Sequence, residues 1–209
     1  MCGINGIISS RISKESIAMD IVQMNTAISH RGPDDSGVSF SVETWFHVAF
    51  WQARLSIVDL SQAWHQPMFY DRVSGAWNDT FQTRKKYDLS IVFNGEIYNY
   101  LDVRKELEDL WYIFATRSDT EAILAWYLAW GESCVEKFNG MWAFCIHDIA
   151  NQKFFCSRDR FWKKPFYYYH TDTDFIFSSE LKWILTHEDL HIKNLENLDK
   201  DALDFYFTT

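Results

Sequence analysis

The chain has 209 residues, 47% of them apolar, enough to bury one sizeable core. Its net charge of −9 argues against a nucleic-acid or anionic-membrane partner, since both need a basic stripe and the densest basic run is Arg84-Lys85-Lys86. No apolar run approaches the ~18 residues of a membrane helix and the N-terminus lacks a signal-peptide pattern, so the expected location is the cytoplasm.

In chain order, the apolar, glycine-containing stretch 1–9 predicts a strand. Ser13 caps a predicted helix whose Ile17, Ile21, Met24 and Ile28 share one face. The turn formers of 30–37 predict a loop, followed by strands at 38–40, 45–50 and 55–58. The stretch 71–86 lacks periodicity and reads as a surface loop. A strand over 89–93 runs into Asn94-Gly95-Glu96. Asn99 caps a helix reaching 110, and a second helix over 120–130 stops at Gly131. Two hairpins follow, 141–147 with 153–157 and 166–169 with 175–178, then a helix at 180–185. The polar stretch 186–197 reads as a linker, and 199–207 begins another helix. Antiparallel strands with helices outside them make the expected class α+β.

Of the four cysteines, none forms a C-x-x-C pair, so a zinc or thioredoxin-like site is not indicated and free thiols are expected. Cys145 and Cys156 lie in apolar runs and read as small buried hydrophobes. Cys2 differs. Once Met1 is removed it carries a thiol nucleophile and, in its own α-amine, a base with a pKa of about 7.7–8.0. Gly3 allows close backbone approach. Asn94 and the Gly95 amide have the donors of an oxyanion hole. Arg54, read as the start of an apolar strand, has the fork to hold a carboxylate, while Glu96 and Asp119 suit an ammonium. Each also has a plain reading, as a turn, an ion pair or a helix-start charge.

Eight motifs occur in order: M-C-G-I at the start, R-G-P-D-D-S-G at 31–37, R-L-S-I-V-D-L-S at 54–61, H-Q-P-M at 65–68, F-N-G-E-I-Y-N-Y at 93–100, R-S-D-T-E at 117–121, F-N-G-M-W-A-F at 138–144 and S-R-D-R at 157–160. Together they resemble the class II glutamine amidotransferase domain of asparagine synthetases, over about 1–185. The resemblance implies an N-terminal-nucleophile hydrolase fold, an αββα sandwich of two antiparallel sheets between helical layers. It implies Cys2 as nucleophile, Asn94 and Gly95 as oxyanion hole, Arg54 on the α-carboxylate of glutamine, and Glu96 and Asp119 on its α-amine. Leu55 and Val58 would line the pocket. It implies no metal or cofactor for this domain; ATP and Mg2+ belong to the family's synthetase half, whose S-G-G-x-D-S loop does not occur here. Residues 186–209 would be the linker and first helix of that half. The implied partners are glutamine, a synthetase domain in cis or trans, and a second copy of the chain. The resemblance leaves two alternatives open: an amidotransferase half for another acceptor such as a sugar acid, and a catalytically poor glutamine-binding remnant.

The chain departs from the family at Trp51, Trp64, Trp111 and Trp162, which stand where glycine is expected, and at Gln52, where a histidine is common. If those glycines served turns with positive φ, each tryptophan costs about 1–2 kcal/mol. The largest penalties are then expected at Trp51 and Trp64, beside the Arg54 segment.

Overall fold

The computed structural model describes residues 2–56, 64–71, 73, 75–77 and 87–186. Two five-stranded antiparallel sheets form the centre. The first runs in the order β2-β3-β1-β10-β9, with β1 (Gly3–Ser9), β2 (Asp35–Val42), β3 (His47–Arg54), β9 (Tyr167–His170) and β10 (Asp174–Ser178). The second runs β5-β4-β6-β7-β8, with β4 (Met68–Asp71), β5 (Gly75–Trp77), β6 (Leu89–Ile97), β7 (Gly140–Asp148) and β8 (Lys153–Arg158).

The two-residue period of the strands sorts side chains into layers. Ile4 and Ile8 of β1, Val48 and Phe50 of β3, Phe177 of β10, Val92 of β6, and Ala143 and Cys145 of β7 meet between the sheets. The alternate residues face outward. Ile7, Ala49, Trp51 and Ala53 pack on helix α1 (Lys14–Ile28) through Ile17, Ile21, Met24 and Ile28, the helix face expected from the sequence. Ile91, Phe93, Phe144 and Ile146 pack beneath α2 (Tyr100–Asp109) and α3 (Asp119–Trp130). The result is the αββα sandwich. Ser13 and Ser118 cap α1 and α3 by accepting from Ser16 N and Glu121 N.

Several boundaries differ from expectation. Residues 35–37 lie in β2 rather than a loop, because Asp35, Ser36 and Gly37 pair with Arg54, Ala53 and Gln52. Asn94-Gly95-Glu96 is no turn: β6 continues through it, paired with Ala143, Trp142 and Met141. Arg54 closes β3, and Leu55 and Ser56 are not in a strand. The stretch read as a loop from 71 contains the end of β4 and all of β5, a short hairpin without a periodic signal. Asn99 precedes α2 but does not cap it; its side chain donates to Lys137 O and accepts from Asn139 N, tying α2 to β7. Helix α4 (Leu181–Thr186) runs one residue past the expected end, and the expected linker and helix beyond it lie outside the described residues.

The tryptophans divide. Trp51 sits mid-strand in β3, 5% exposed against α1, so it is not a turn residue and acts as packing. Trp111 and Trp162 have φ of 66° and 57°. Trp111 follows α2 in a helix-ending motif in which Trp111 N donates to Glu108 O and Tyr112 N to Leu107 O, the left-handed position usually held by glycine. It is 90% exposed, so its side chain offers little packing to offset the backbone strain. Trp111→Gly is expected to stabilise by about 1 kcal/mol, raising Tm by roughly 2–4 °C. Trp51→Gly is expected to destabilise by about 3–5 kcal/mol, as for a large-to-small core change. Thermal melts of both variants check the pair, and a Trp51→Gly variant as stable as its parent would show that the α1 face needs no indole there.

Candidate active site

A cavity of about 200 Å3 opens at one end of the sandwich. Residues from both sheets, α2, α3 and two loops line it, among them Cys2, Arg54, Leu55, Asn94, Gly95, Glu96 and Asp119. Seven of the eight residues expected in the site thus come together, although they span 118 positions of the chain. Val58 lies outside the described residues.

Cys2 immediately precedes β1, half-buried. Its Sγ accepts from Leu55 N at 3.4 Å and lies 3.8 Å from Leu55 O. Arg31 Nε donates to Cys2 O at 3.1 Å and fixes the backbone there. Packing leaves little room at Gly3: a Cβ would meet Ile28 Cδ1 at 2.9 Å and Arg31 Cδ at 3.1 Å.

Asn94 projects from β6 into the space between the sheets and is 1% exposed. Its Nδ2 has no hydrogen-bond partner. It is the one such atom among the described residues that belongs to this cavity. An orphaned buried donor costs about 1–3 kcal/mol, so it calls for a ligand or a role. Two glutamines fix the backbone just before it. Gln52 Nε2 donates to Phe93 O at 2.9 Å, and Phe93 N donates to Gln66 Oε1 at 2.6 Å. Gly95 is required by close approach, because a side chain there would strike the Met141 carbonyl and the Phe93 ring.

Arg54 is 6% exposed, with Nη1 4.0 Å from Asp35, whose carboxylate also binds His65 Nδ1 at 2.8 Å. Asp119, the first residue of α3, accepts from Ile97 N at 2.9 Å. Burial raises its carboxyl to about 7; the backbone bonds from Ile97 and Thr120 pull it down and neighbouring Glu96 pushes it up. An ammonium beside it would favour the charged form. Glu96 is exposed at the cavity mouth.

The sequence reading missed Gln52, Gln66, Trp64, Tyr100, Thr120, Met141 and Lys164, all of which line the cavity. Gln66 sits in the H-Q-P-M motif and Lys164 four residues past S-R-D-R, but neither residue type announces its role alone. Among the described residues, no group of three or more His, Cys, Asp or Glu is arranged to hold a metal ion, and no helix is long and apolar enough to cross a membrane.

A glutamine amidotransferase domain profile matches residues 1–209. A putative asparagine synthetase (glutamine-hydrolyzing) of Methanocaldococcus jannaschii is 48% identical over 211 residues, covering 99% of this chain and 39% of that protein. An asparagine synthetase (glutamine-hydrolyzing) of Bacillus subtilis is 38% identical over 194 residues, 91% of this chain and 28% of that protein. The chain therefore spans well under half the length of these relatives. Among solved structures, glutamine phosphoribosylpyrophosphate amidotransferase of B. subtilis superimposes with a TM-score of 0.61 at 16% identity, over 88% of this chain and 43% of that one. That likeness concerns the fold alone.

Proposed function

The chain belongs to the glutamine amidotransferase domain family, and from that premise we propose that it hydrolyses glutamine at Cys2 as the ammonia-supplying half of an asparagine synthetase. The carrying observation is the unpartnered Asn94 Nδ2, a buried donor in the cavity that Cys2 also lines.

Removal of Met1 leaves Cys2 with a free α-amine, which takes the thiol proton. The sulfur attacks the side-chain carbonyl carbon of glutamine. Asn94 Nδ2 and the Gly95 amide receive the oxyanion that forms. The amine returns the proton to the departing nitrogen, the C–N bond breaks and ammonia leaves. Water then attacks the thioester, releasing glutamate and the thiol. Arg54 holds the α-carboxylate, and Asp119 with Glu96 holds the α-ammonium, which draws Asp119 to its charged form. Ammonia passes to a synthetase domain in cis or trans, which would hold the ATP and Mg2+ that activate the acceptor; the glutaminase step as drawn uses neither. The cytoplasm is the proposed location.

Arg54 tests the orientation of the substrate. Losing a charge-assisted contact costs about 1.5–3 kcal/mol, or roughly 10- to 150-fold in affinity. Arg54→Ala is expected to weaken glutamine binding by that factor, measured by calorimetry on the folded variant. Arg54→Lys, which keeps a cation near Asp35 but loses the fork, is expected to recover only part of it. Unchanged affinity in both variants would remove Arg54 from the carboxylate site.

A further inference from the structure

Among the described residues, three that are not glycine hold a left-handed backbone: Trp111 at φ 66°, Gln152 at 50° and Trp162 at 57°. That region crowds Cβ against the following carbonyl, and a bulky side chain there is an outlier. Glycine, which has no Cβ, enters it freely. Two of the three places are nonetheless filled by tryptophan.

At both, the main chain has to turn that way. Helices α2 and α3 end alike. After α3 the left-handed residue is Gly131, at φ 60°, whose N–H donates to Tyr127 O. After α2 it is Trp111, whose N–H donates to Glu108 O at 3.0 Å while Tyr112 N donates to Leu107 O at 3.1 Å. Residue 162 lies at the bend of the loop that the S-R-D-R motif builds. Asp159 Oδ1 accepts from Phe161 N at 3.1 Å and Lys163 N at 2.9 Å, and Oδ2 from Lys164 N at 2.9 Å. Amides on both sides of 162 converge on one carboxylate, so the chain reverses at 162. Trp162 N donates to Asp159 O at 3.0 Å, and Trp162 O accepts from Arg158 Nη2 at 3.0 Å.

The indoles give little in return. They are 90% and 74% exposed. Arg158 Cζ lies 5.6 Å from the Trp162 ring centroid, near the outer limit of a cation–π contact. Other tryptophans are put to use. Trp142 is buried in β7 and donates from Nε1 to Ser157 Oγ at 2.9 Å, and Trp130 has Lys137 Nζ 4.1 Å from its ring centroid. The composition is skewed in the matching sense. The chain has 8 glycines beside 10 tryptophans, where average usage of about 7% would give roughly 15 glycines.

We infer that positions 111 and 162 are glycine in the protein its host makes, encoded by UGA, a codon that one genetic code reads as tryptophan and another as glycine. One decoding rule then accounts for both positions and for the shortage of glycine. It also accounts for the glycines that stay, including Gly75 and Gly131 at positive φ, which GGN codons would specify. Point substitution would need a separate event at each site. The inference does not depend on glutamine hydrolysis.

Codons and native peptides decide it. The gene is expected to carry UGA at 111 and 162 and UGG at 130 and 142. Protein isolated from the host and cleaved before aspartate yields peptides 109–118 and 159–171, each holding one of the two positions, and both should have the mass of the glycine form. One codon shared by all four positions, or native peptides with tryptophan at 111 and 162, would overturn the inference. The backbone premise has its own readout in the tryptophan-bearing chain. Replacing Trp111 and Trp162 together by glycine is expected to raise Tm by roughly 4–8 °C, the two sites adding. Replacing both by alanine removes the rings but keeps Cβ at positive φ, so Tm should rise clearly less. Alanine performing as well as glycine would place the fault in the rings and reject the premise.

Discussion

Replacing Cys2 with alanine is expected to abolish glutamine hydrolysis, by a factor of at least about 10^4, while leaving the fold in place. The sulfur is the only atom lost, and its contacts are a 3.4 Å approach from Leu55 N and a 3.8 Å approach to Leu55 O, so the stability change should stay within about 1 kcal/mol. Glutamate release and a thermal melt measure the two arms. A glutamine-like electrophile supplies an independent readout, because burial protects Cys134 and Cys145. Cys134 and Cys145 are fully buried, with Cys134 pushed up to about 12 and Cys145 well above its ordinary range by desolvation. Cys156 is half-buried opposite Cys145 on β8. One adduct, on Cys2 of a chain lacking Met1, is the expected product. Adducts on Cys134, Cys145 or Cys156 with Cys2 untouched would sink the nucleophile assignment.

The sequence pattern reached the long elements and the charged ends of the site, and the reasons lie in particular residues. Helix α1 was legible because Ile17, Ile21, Met24 and Ile28 repeat at helical spacing on a face that packs against β3. Hairpins β7–β8 and β9–β10 were legible from apolar runs separated by short polar turns. The end of β3 was not, since Arg54 looks like the first residue of the apolar segment after it, whereas its pairing with Asp35 is a long-range fact. Asn94-Gly95 misled for a related reason: the dipeptide is a strong turn former in isolation, and only the ladder with Ala143 and Trp142 carries β6 through it. The supporting glutamines were invisible. Gln52 and Gln66 matter through the C=O and N–H of Phe93, contacts between segments 27 to 41 residues apart. Lys164 was equally silent, because its meaning depends on a loop folded around Asp159.

Those glutamines bear directly on what Asn94→Ala should do. With Phe93 held at N by Gln66 and at O by Gln52, the backbone of β6 has no need of the Asn94 side chain to keep its course. The Nδ2 it removes is a buried donor with no partner, so its loss relieves a desolvation cost instead of breaking a bond. Stability is therefore expected to hold or rise, against the usual trend for a polar residue buried to 1%. Catalysis is expected to move the other way. Losing one oxyanion donor costs about 10^2–10^3 in kcat, or roughly 2.7–4 kcal/mol of transition-state stabilisation, with little change in KM because the ground-state carbonyl carries less charge than the oxyanion. Steady-state glutaminase kinetics and a thermal melt on the same preparation decide it. A variant that loses stability in step with kcat would mark Asn94 as a structural residue, and one that loses affinity in place of kcat would make it a ground-state binding group. Only a fall in kcat on an unweakened fold fits a donor left unpaired for the transition state.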